Sequence, residues 1–278
     1  MPGRQVLRHA RGELDLATPV VMGVLNVTPD SFSDGGRFLE PALALEHALQ
    51  MIEAGAAIID IGGESTRPGA EPVPLEQELR RVIPVVQALS ASTGTLISVD
   101  TSRPEVIEQA VAAGAGMIND VRALHRPGAL AAVAHSGAAA CLMHMRGEPA
   151  TMQLSVHFDA VVTEVRAMLA ARLASCADAG IEPERLCLDP GFGFGKHPVH
   201  NLELLRGLGG LLDLGRPLLV GLSRKSWLKS LTGRERGERL AGSLALATVA
   251  VLNGATIVRA HDVAETVDAV RVAAALRN

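Results

Sequence analysis

Residues 96–120 read LISVDTSRPEVIEQAVAAGAGMIND, and one repeating unit of the fold is spelled out in them. An apolar run closes on Asp100. Ser102 and Pro104 follow, an expected helix N-cap and a proline near the first helical position. Ala113-Gly114-Ala115 ends the helical pattern, where glycine can take the left-handed cap conformation without steric penalty. A second apolar run then closes on Asn119 and Asp120. The order is strand, helix, strand. Ala54-Gly55-Ala56 and Asn253-Gly254-Ala255 repeat the phrase, each leading through an apolar run to a polar tip, Asp60 and Arg259.

Working outward, eight such runs can be found, and nearly all end in a polar or charged side chain. VVMGVLN ends at Asn26, IIDIGG leads to Glu64, and LISVD ends at Asp100. MIND reaches Asn119 and Asp120, ACLMH ends at His144, and LCLD ends at Asp189. LLVGLS leads to Arg224 and Lys225, and TIVRAHD carries Arg259, His261 and Asp262. Strands covered on both faces are continuously apolar, so polar groups repeated at the C-terminal tips mark one shared face. In a (β/α)8 barrel that is the catalytic face. The expectation is an α/β fold: a single (β/α)8 TIM barrel with right-handed crossovers.

Amphipathic segments fill the intervals. Pro41–Ala54 places Leu45, Leu49 and Ile52 on one face, and Leu75–Leu89 groups Leu79, Val82, Val86 and Leu89. Asp159–Ala179 groups Val162, Val165, Leu169 and Leu173, and Glu238–Leu252 and Val263–Leu276 complete the set. The helices after the fourth and sixth strands have the weakest signal. Ahead of the barrel, Val6, Leu7, Leu14 and Leu16 flank Arg11-Gly12, which predicts a small hairpin. The organisation expected is residues 1–18 as a hairpin capping the N-terminal end of the barrel, and 19–278 as one catalytic barrel.

Composition narrows the function. The chain has 278 residues, 48% of them hydrophobic, 2% aromatic, and a net charge of −4. Without a basic run or an aromatic stripe it is not expected to bind nucleic acid. No apolar stretch approaches the roughly 18 residues that span a bilayer, and the first residues lack the apolar core of a signal peptide. A cytoplasmic protein is expected. Cys141, Cys176 and Cys187 have no metal-type spacing and are expected to be small buried hydrophobes.

The tips suggest chemistry. Asp100 and Asp189 would be costly to bury without partners. Either could cap a helix or pair with a barrel arginine; together with Asn119 they can present acceptors and a donor to a flat heterocycle. Lys225, Arg259 and His261 sit where barrels frequently bind phosphate, after the seventh and eighth strands. Arg224 is expected to be merely solvated. Two glycine-rich loops, 28–36 and 62–69, are connectors or lids. GFGFGK (191–196) lacks dinucleotide-fingerprint spacing, and its two phenylalanines suit an apolar wall for a flat ring.

From Val20 to Ala269 the chain resembles the dihydropteroate synthase family of pterin-binding enzymes. The residues that carry the resemblance are MGVLNVTPDSFSDGG (22–36), GGESTRPGA (62–70), SVDTSRPEV (98–106), INDVRAL (118–124) and HMRGEPATMQ (144–153), followed by LDPGFGFGK (188–196), GLSRKS (221–226) and IVRAHDV (257–263). Arg103 stands where the family commonly has lysine. The resemblance implies condensation of (7,8-dihydropterin-6-yl)methyl diphosphate with 4-aminobenzoate, with Mg²⁺ as cofactor. It implies that Asp100, Asn119, Asp189 and Lys225 hold the pterin, and that Arg67, Arg259 and His261 bind diphosphate. Asn26 and Asp34 would meet the metal, and Thr66, Pro68, Phe194 and Ser226 would shape the aminobenzoate slot. A homodimer is implied too.

Other readings remain at this point. A Schiff-base barrel would use Lys225 as nucleophile and would need it desolvated among apolar neighbours. A pterin-dependent methyltransferase would not need Arg259 and His261 for a diphosphate, and a catalytically silent pterin-binding paralogue would not need intact loops.

Overall fold

The chain begins with the antiparallel hairpin, strands β1 (Val6–His9) and β2 (Gly12–Asp15). In the computed structural model, residues 5–27, 40–65, 72–148, 151–153 and 156–277 are described. The barrel strands follow: β3 (Val20–Asn26), β4 (Ile58–Gly62), β5 (Leu96–Asp100), β6 (Met117–Asp120), β7 (Ala139–Met143), β8 (Leu186–Asp189), β9 (Leu219–Gly221) and β10 (Ile257–Ala260). All eight run parallel in the order β8-β7-β6-β5-β4-β3-β10-β9. A parallel bridge from Leu188 to Leu218 joins the two ends and closes the barrel.

The helices are α1 (Glu40–Glu53), α2 (Leu75–Ser92), α3 (Pro104–Ala113), α4 (Ala129–Ser136), α5 (Val161–Asp178), α6 (Pro198–Arg206), α7 (Leu228–Thr232), α8 (Leu240–Leu252) and α9 (Val263–Arg277). The weakly signalled helices after the fourth and sixth barrel strands are α4 and α6, the latter continued by 3-10 turns over Leu208–Leu214. No described helix is long and apolar enough to cross a membrane.

Several expectations are corrected. The buried stripe of α1 is Ala44, Ala48 and Met51, while Leu49 is exposed. Small side chains let α1 lie close to the sheet, and a Cβ on Gly23 would come within 2.8 Å of the Met51 sulfur. In α5 the fully buried residues are Val161, Val165, Leu169 and Cys176, with Val162 and Leu173 partly buried against the same core. Ser102 does not cap α3; Arg103 occupies the N-cap position and the Ser102 hydroxyl donates to Asp120 instead. Pro104 does stand in the first turn.

Strand alternation explains the barrel interior. On β4, Ile59 and Ile61 join the core under the helices, while Ile58, Asp60 and Gly62 share the other face. The N-terminal end of the interior is apolar: Met22, Ile58, Leu96, Met117, Ala139, Cys141, Cys187, Leu219 and Ile257 pack with Leu7 and Leu16 of the hairpin. The hairpin thus plugs this end. All three cysteines are buried and free.

Candidate active site

Two residues along from five of the apolar floor residues, the same strand faces present polar groups. Ile58 is followed by Asp60, Leu96 by Ser98 and Asp100, Met117 by Asn119, Cys187 by Asp189, and Ile257 by Arg259. Asp60 is fully buried and accepts from the Ser98 hydroxyl (2.7 Å), Asn119 Nδ2 (3.0 Å) and Arg259 Nε (2.6 Å). Arg259 also donates to Asp100 Oδ2 at 3.1 Å. One guanidinium therefore bridges two strands' carboxylates, and Asp60 orients both Asn119 and Arg259. Asp60 lies in the middle of β4 and not at the tip where the sequence pattern puts it.

The electrostatics follow from burial. Desolvation pushes the Asp100 pKa up to about 7, against the pull of Arg259 and with the push of the Asp60, Asp120 and Glu78 charges. Burial also raises Asp189, opposed by the Gly191 N–H, which donates to its Oδ1 at 2.7 Å, and by Lys225, Lys196 and Arg259. Burial works against the charge on Arg259, but Asp60 and Asp100 more than offset it and the guanidinium stays protonated. Lys225 is pushed down to about 8 by burial, opposed first by Asp189. Its ammonium lies 4.4 Å from the centroid of the Phe194 ring, a cation–π seat.

Other expected residues are placed as follows. Asn26 ends β3 and is half-buried, in register with Gly62, which is in register with Asp100. A Cβ on Gly62 would lie 3.8 Å from Asn26 Oδ1, so the amide oxygen stands over bare backbone. Ser226 is exposed at the rim. Thr66, Arg67, Pro68 and Asp34 lie outside the described residues, as does most of the two glycine-rich loops. Among the described residues no group of three or more histidines, cysteines or acids is arranged to hold a metal.

Four expectations change. His261 is not a cation: burial, then Arg259 and Arg224, push its pKa down to about 3, and its Nδ1 lies 3.1 Å from the Ser223 hydroxyl. It can act as a neutral hydrogen-bonding ring. Arg224 is not simply solvated but pairs with Asp262, with Nε to Oδ2 at 3.0 Å. Phe192 is 1% exposed in the core beneath the helices, so Phe194 alone faces the mouth. Asp120 turns away from the interior and caps the following turn through the N–H groups of Arg122 (2.8 Å) and Leu124 (2.7 Å).

Beside the mouth, Arg103 ties together both ends of the second loop. Its guanidinium donates to Glu64 Oε2 at 3.1 Å and to the Val73 carbonyl, and Nε sits 2.8 Å from the buried Glu78 as an ion pair rather than an aligned hydrogen bond. Thr101 donates to the other Glu78 oxygen at 2.6 Å. The helical pattern puts Glu78 among the outward charges of α2, one residue off the apolar stripe; the structure buries it instead.

This arrangement matches known proteins over nearly the whole chain. The family model described as pterin binding enzyme matches residues 22–261. The dihydropteroate synthase of Escherichia coli K12 is 54% identical over 259 residues, covering 93% of this chain and 92% of that protein. The Xanthomonas albilineans dihydropteroate synthase solved with 4-aminobenzoic acid superposes with a TM-score of 0.93 at 52% identity, covering 99% of this chain and 98% of that one. The Yersinia pestis dihydropteroate synthase solved with a sulfonamide drug also gives 0.93, at 49% identity over 98% and 99% of the two chains. A barrel whose mouth gathers Asp100, Asn119, Asp189, Lys225 and Arg259, and which is similar along its length to these enzymes, belongs to the dihydropteroate synthases, within the family of pterin-binding enzymes.

Proposed function

We propose that this protein joins (7,8-dihydropterin-6-yl)methyl diphosphate to 4-aminobenzoate and releases diphosphate. The observation that carries the reading is the polar layer itself: three inward acceptor groups on β5, β6 and β8 beside two inward cations, above an apolar floor. Residues 19–278 would be the catalytic barrel and residues 1–18 its cap. A pterin offers ring N–H and amino donors, and Asp100 and Asp189 would accept from them while Asn119 supplies an amide. Lys225 would hold the edge of the ring with Phe194 against it.

The reacting methylene is attached to an electron-rich ring, so carbon–oxygen cleavage develops positive charge there and negative charge on the departing diphosphate. Asp100 and Asp189 would stabilise the first; Arg259, Arg67 and a neutral His261 donating an N–H would stabilise the second. This is preorganised electrostatics with orientation. The arylamine then attacks the carbon, with Thr66, Pro68, Phe194 and Ser226 shaping its slot. Arg259 is held by Asp60 and Asp100 in the described structure, which keeps its charge in place for the anion.

The cofactor reading is Mg²⁺. The amide oxygen of the half-buried Asn26 is a hard donor, which suits a cation that keeps several waters and binds phosphates. Asn26 and Asp34 would hold it, and its charge would help neutralise the diphosphate. Homodimer formation is part of the reading, supported by Val249 and Leu252 on α8 and Val272 and Leu276 on α9, all exposed. The test is turnover of the two substrates by the purified protein with Mg²⁺. Formation of 7,8-dihydropteroate and diphosphate is expected; tight pterin binding without product would make the chain a silent pterin-binding paralogue.

A further inference from the structure

The turn after β8, residues 190–197, contains a buried cation that the proposed chemistry leaves unused. Lys196 is 2% exposed, less than Asp100 at 8% or Asp189 at 5%. Its Nζ lies 2.9 Å from the Gly191 carbonyl oxygen, 3.1 Å from that of Phe194 and 2.9 Å from His144 Nδ1, with the His144 carbonyl at 3.4 Å. An ammonium has three N–H donors, and three close acceptors use them all. No donor is left for a substrate.

Each acceptor belongs to the same construction. Gly191, Gly193 and Gly195 have φ of +71°, +82° and +62°, the left-handed region that favours glycine. A side chain at Gly191 would run into the His144 carbonyl, and one at Gly195 into the Arg146 carbonyl. The turn therefore lies flat on the segment that follows β7, and its inward carbonyls meet Lys196. Because Nδ1 of His144 accepts, the ring proton sits on Nε2. Burial, then the Lys196 charge, push the His144 pKa down to about 3, which keeps the ring an acceptor.

On its other side the turn faces the mouth. The Gly191 N–H fixes one Asp189 oxygen, and the Phe194 ring seats the Lys225 ammonium. The Gly193 N–H is fixed in turn by Asn201 Oδ1 at 2.7 Å. Two of the three carbonyl and ring partners of Lys196 are thus the backbone anchors of groups that the proposed function assigns to the pterin pocket.

We propose that Lys196 is a positioning residue, its ammonium committed to Gly191, Phe194 and His144 so that the turn presents Asp189 and the Phe194 ring to the pterin. The inference rests on the pterin reading of that pocket. Burial lowers the Lys196 pKa to about 7, opposed by the Asp189 carboxylate; an ionisable amine is held in a costly place, in keeping with a specific task.

The experiment compares Lys196→Met, which keeps the stem and removes charge and donors, with the wild-type protein. Pterin diphosphate is titrated by calorimetry without aminobenzoate, and steady-state constants are measured with both substrates. A rise of about tenfold or more in pterin Kd and KM is expected, and any fall in kcat should accompany it, because Asp189 also faces the charge that develops on the pterin side. A variant that melts earlier yet binds pterin normally would make Lys196 plain scaffold and overturn the proposal. So would a loss of kcat with unchanged KM. If the methionine variant does not fold, Lys196→Gln, which keeps two donors, takes the same titration: a severalfold weaker Kd supports the proposal and an unchanged one overturns it. Calorimetry reads pterin binding without turnover, so a wild-type protein that binds pterin but forms no product would break the proposed function and leave this inference standing.

Discussion

The two ends of the barrel interior are built by the same strands and do opposite work. At the N-terminal end, nine strand residues and two hairpin leucines make an apolar layer. Further along those strands, two positions on or four for Asp100, stand Asp60, Asp100, Asn119, Asp189 and Arg259, with Lys225 above. A short strand offers only two or three inward positions, so alternation places an apolar residue beneath each polar one. Removal of apolar area from water stabilises the lower layer, whereas the upper layer pays desolvation that its ion pairs only partly return. Stability and chemistry are stacked on one axis, and substitutions at the two ends should separate them.

The largest effect is expected below. Leu7 is fully buried in the floor, and Leu7→Ala removes a side chain from a site enclosed by eight strands. Its stability should fall by about 2–5 kcal/mol, read from urea unfolding, with turnover per folded molecule unchanged. A loss of kcat in the folded fraction would mean that the two layers are coupled and that the hairpin shapes the mouth.

Next comes Arg259→Ala, at the top. If this guanidinium stabilises the leaving diphosphate, kcat should drop on the order of a hundredfold or more, beyond any effect on pterin KM. The ion pairs with Asp60 and Asp100 at 2.6 and 3.1 Å mean that a lower melting temperature should accompany this loss. Destabilisation with normal turnover per folded molecule would reduce Arg259 to scaffold.

Asp189→Asn should do less. It replaces an acceptor with a donor facing ring N–H groups, which costs roughly 1–3 kcal/mol, or one to two decades in pterin affinity. Unchanged affinity by calorimetry would remove Asp189 from the pterin site.

The same contrast explains what could be read in advance. The barrel was legible because each apolar run and each glycine-terminated helix is a local signal, and Asp100, Asn119, Asp189, Lys225 and Arg259 were legible because strand ends share one face. Asp60 was legible as a polar group at an apolar run, but what it holds was not. Its importance lies in three partners, Ser98, Asn119 and Arg259, spread over β5, β6 and β10. Arg103 with Glu78, and Lys196 with His144, are likewise pairings between distant elements. Charge states were the least legible: His261 is held neutral by burial first, and then by the Arg259 and Arg224 charges. Leu49 shows the converse, a large apolar residue left outside because alanines gave α1 a closer approach.

The last contrast concerns what the upper layer costs. Burial and neighbouring carboxylates raise Asp100 to about 7, against an ordinary value of 3.8. A carboxyl whose pKa is higher folded than unfolded binds its proton more tightly in the folded state. The folded protein therefore gains from this group at pH below 3.8 and loses that gain as pH rises towards 7. Asp100→Asn removes the titration while leaving the floor intact. The variant's stability relative to wild type should then climb between pH 4 and pH 7 and level off above it, with both proteins measured in urea at each pH. The slope is the readout, since an amide facing Arg259 shifts the offset by an amount that does not depend on pH. A flat difference across that window would show that Arg259 fully compensates the buried charge, and that the catalytic end of the barrel is held at no cost to the fold.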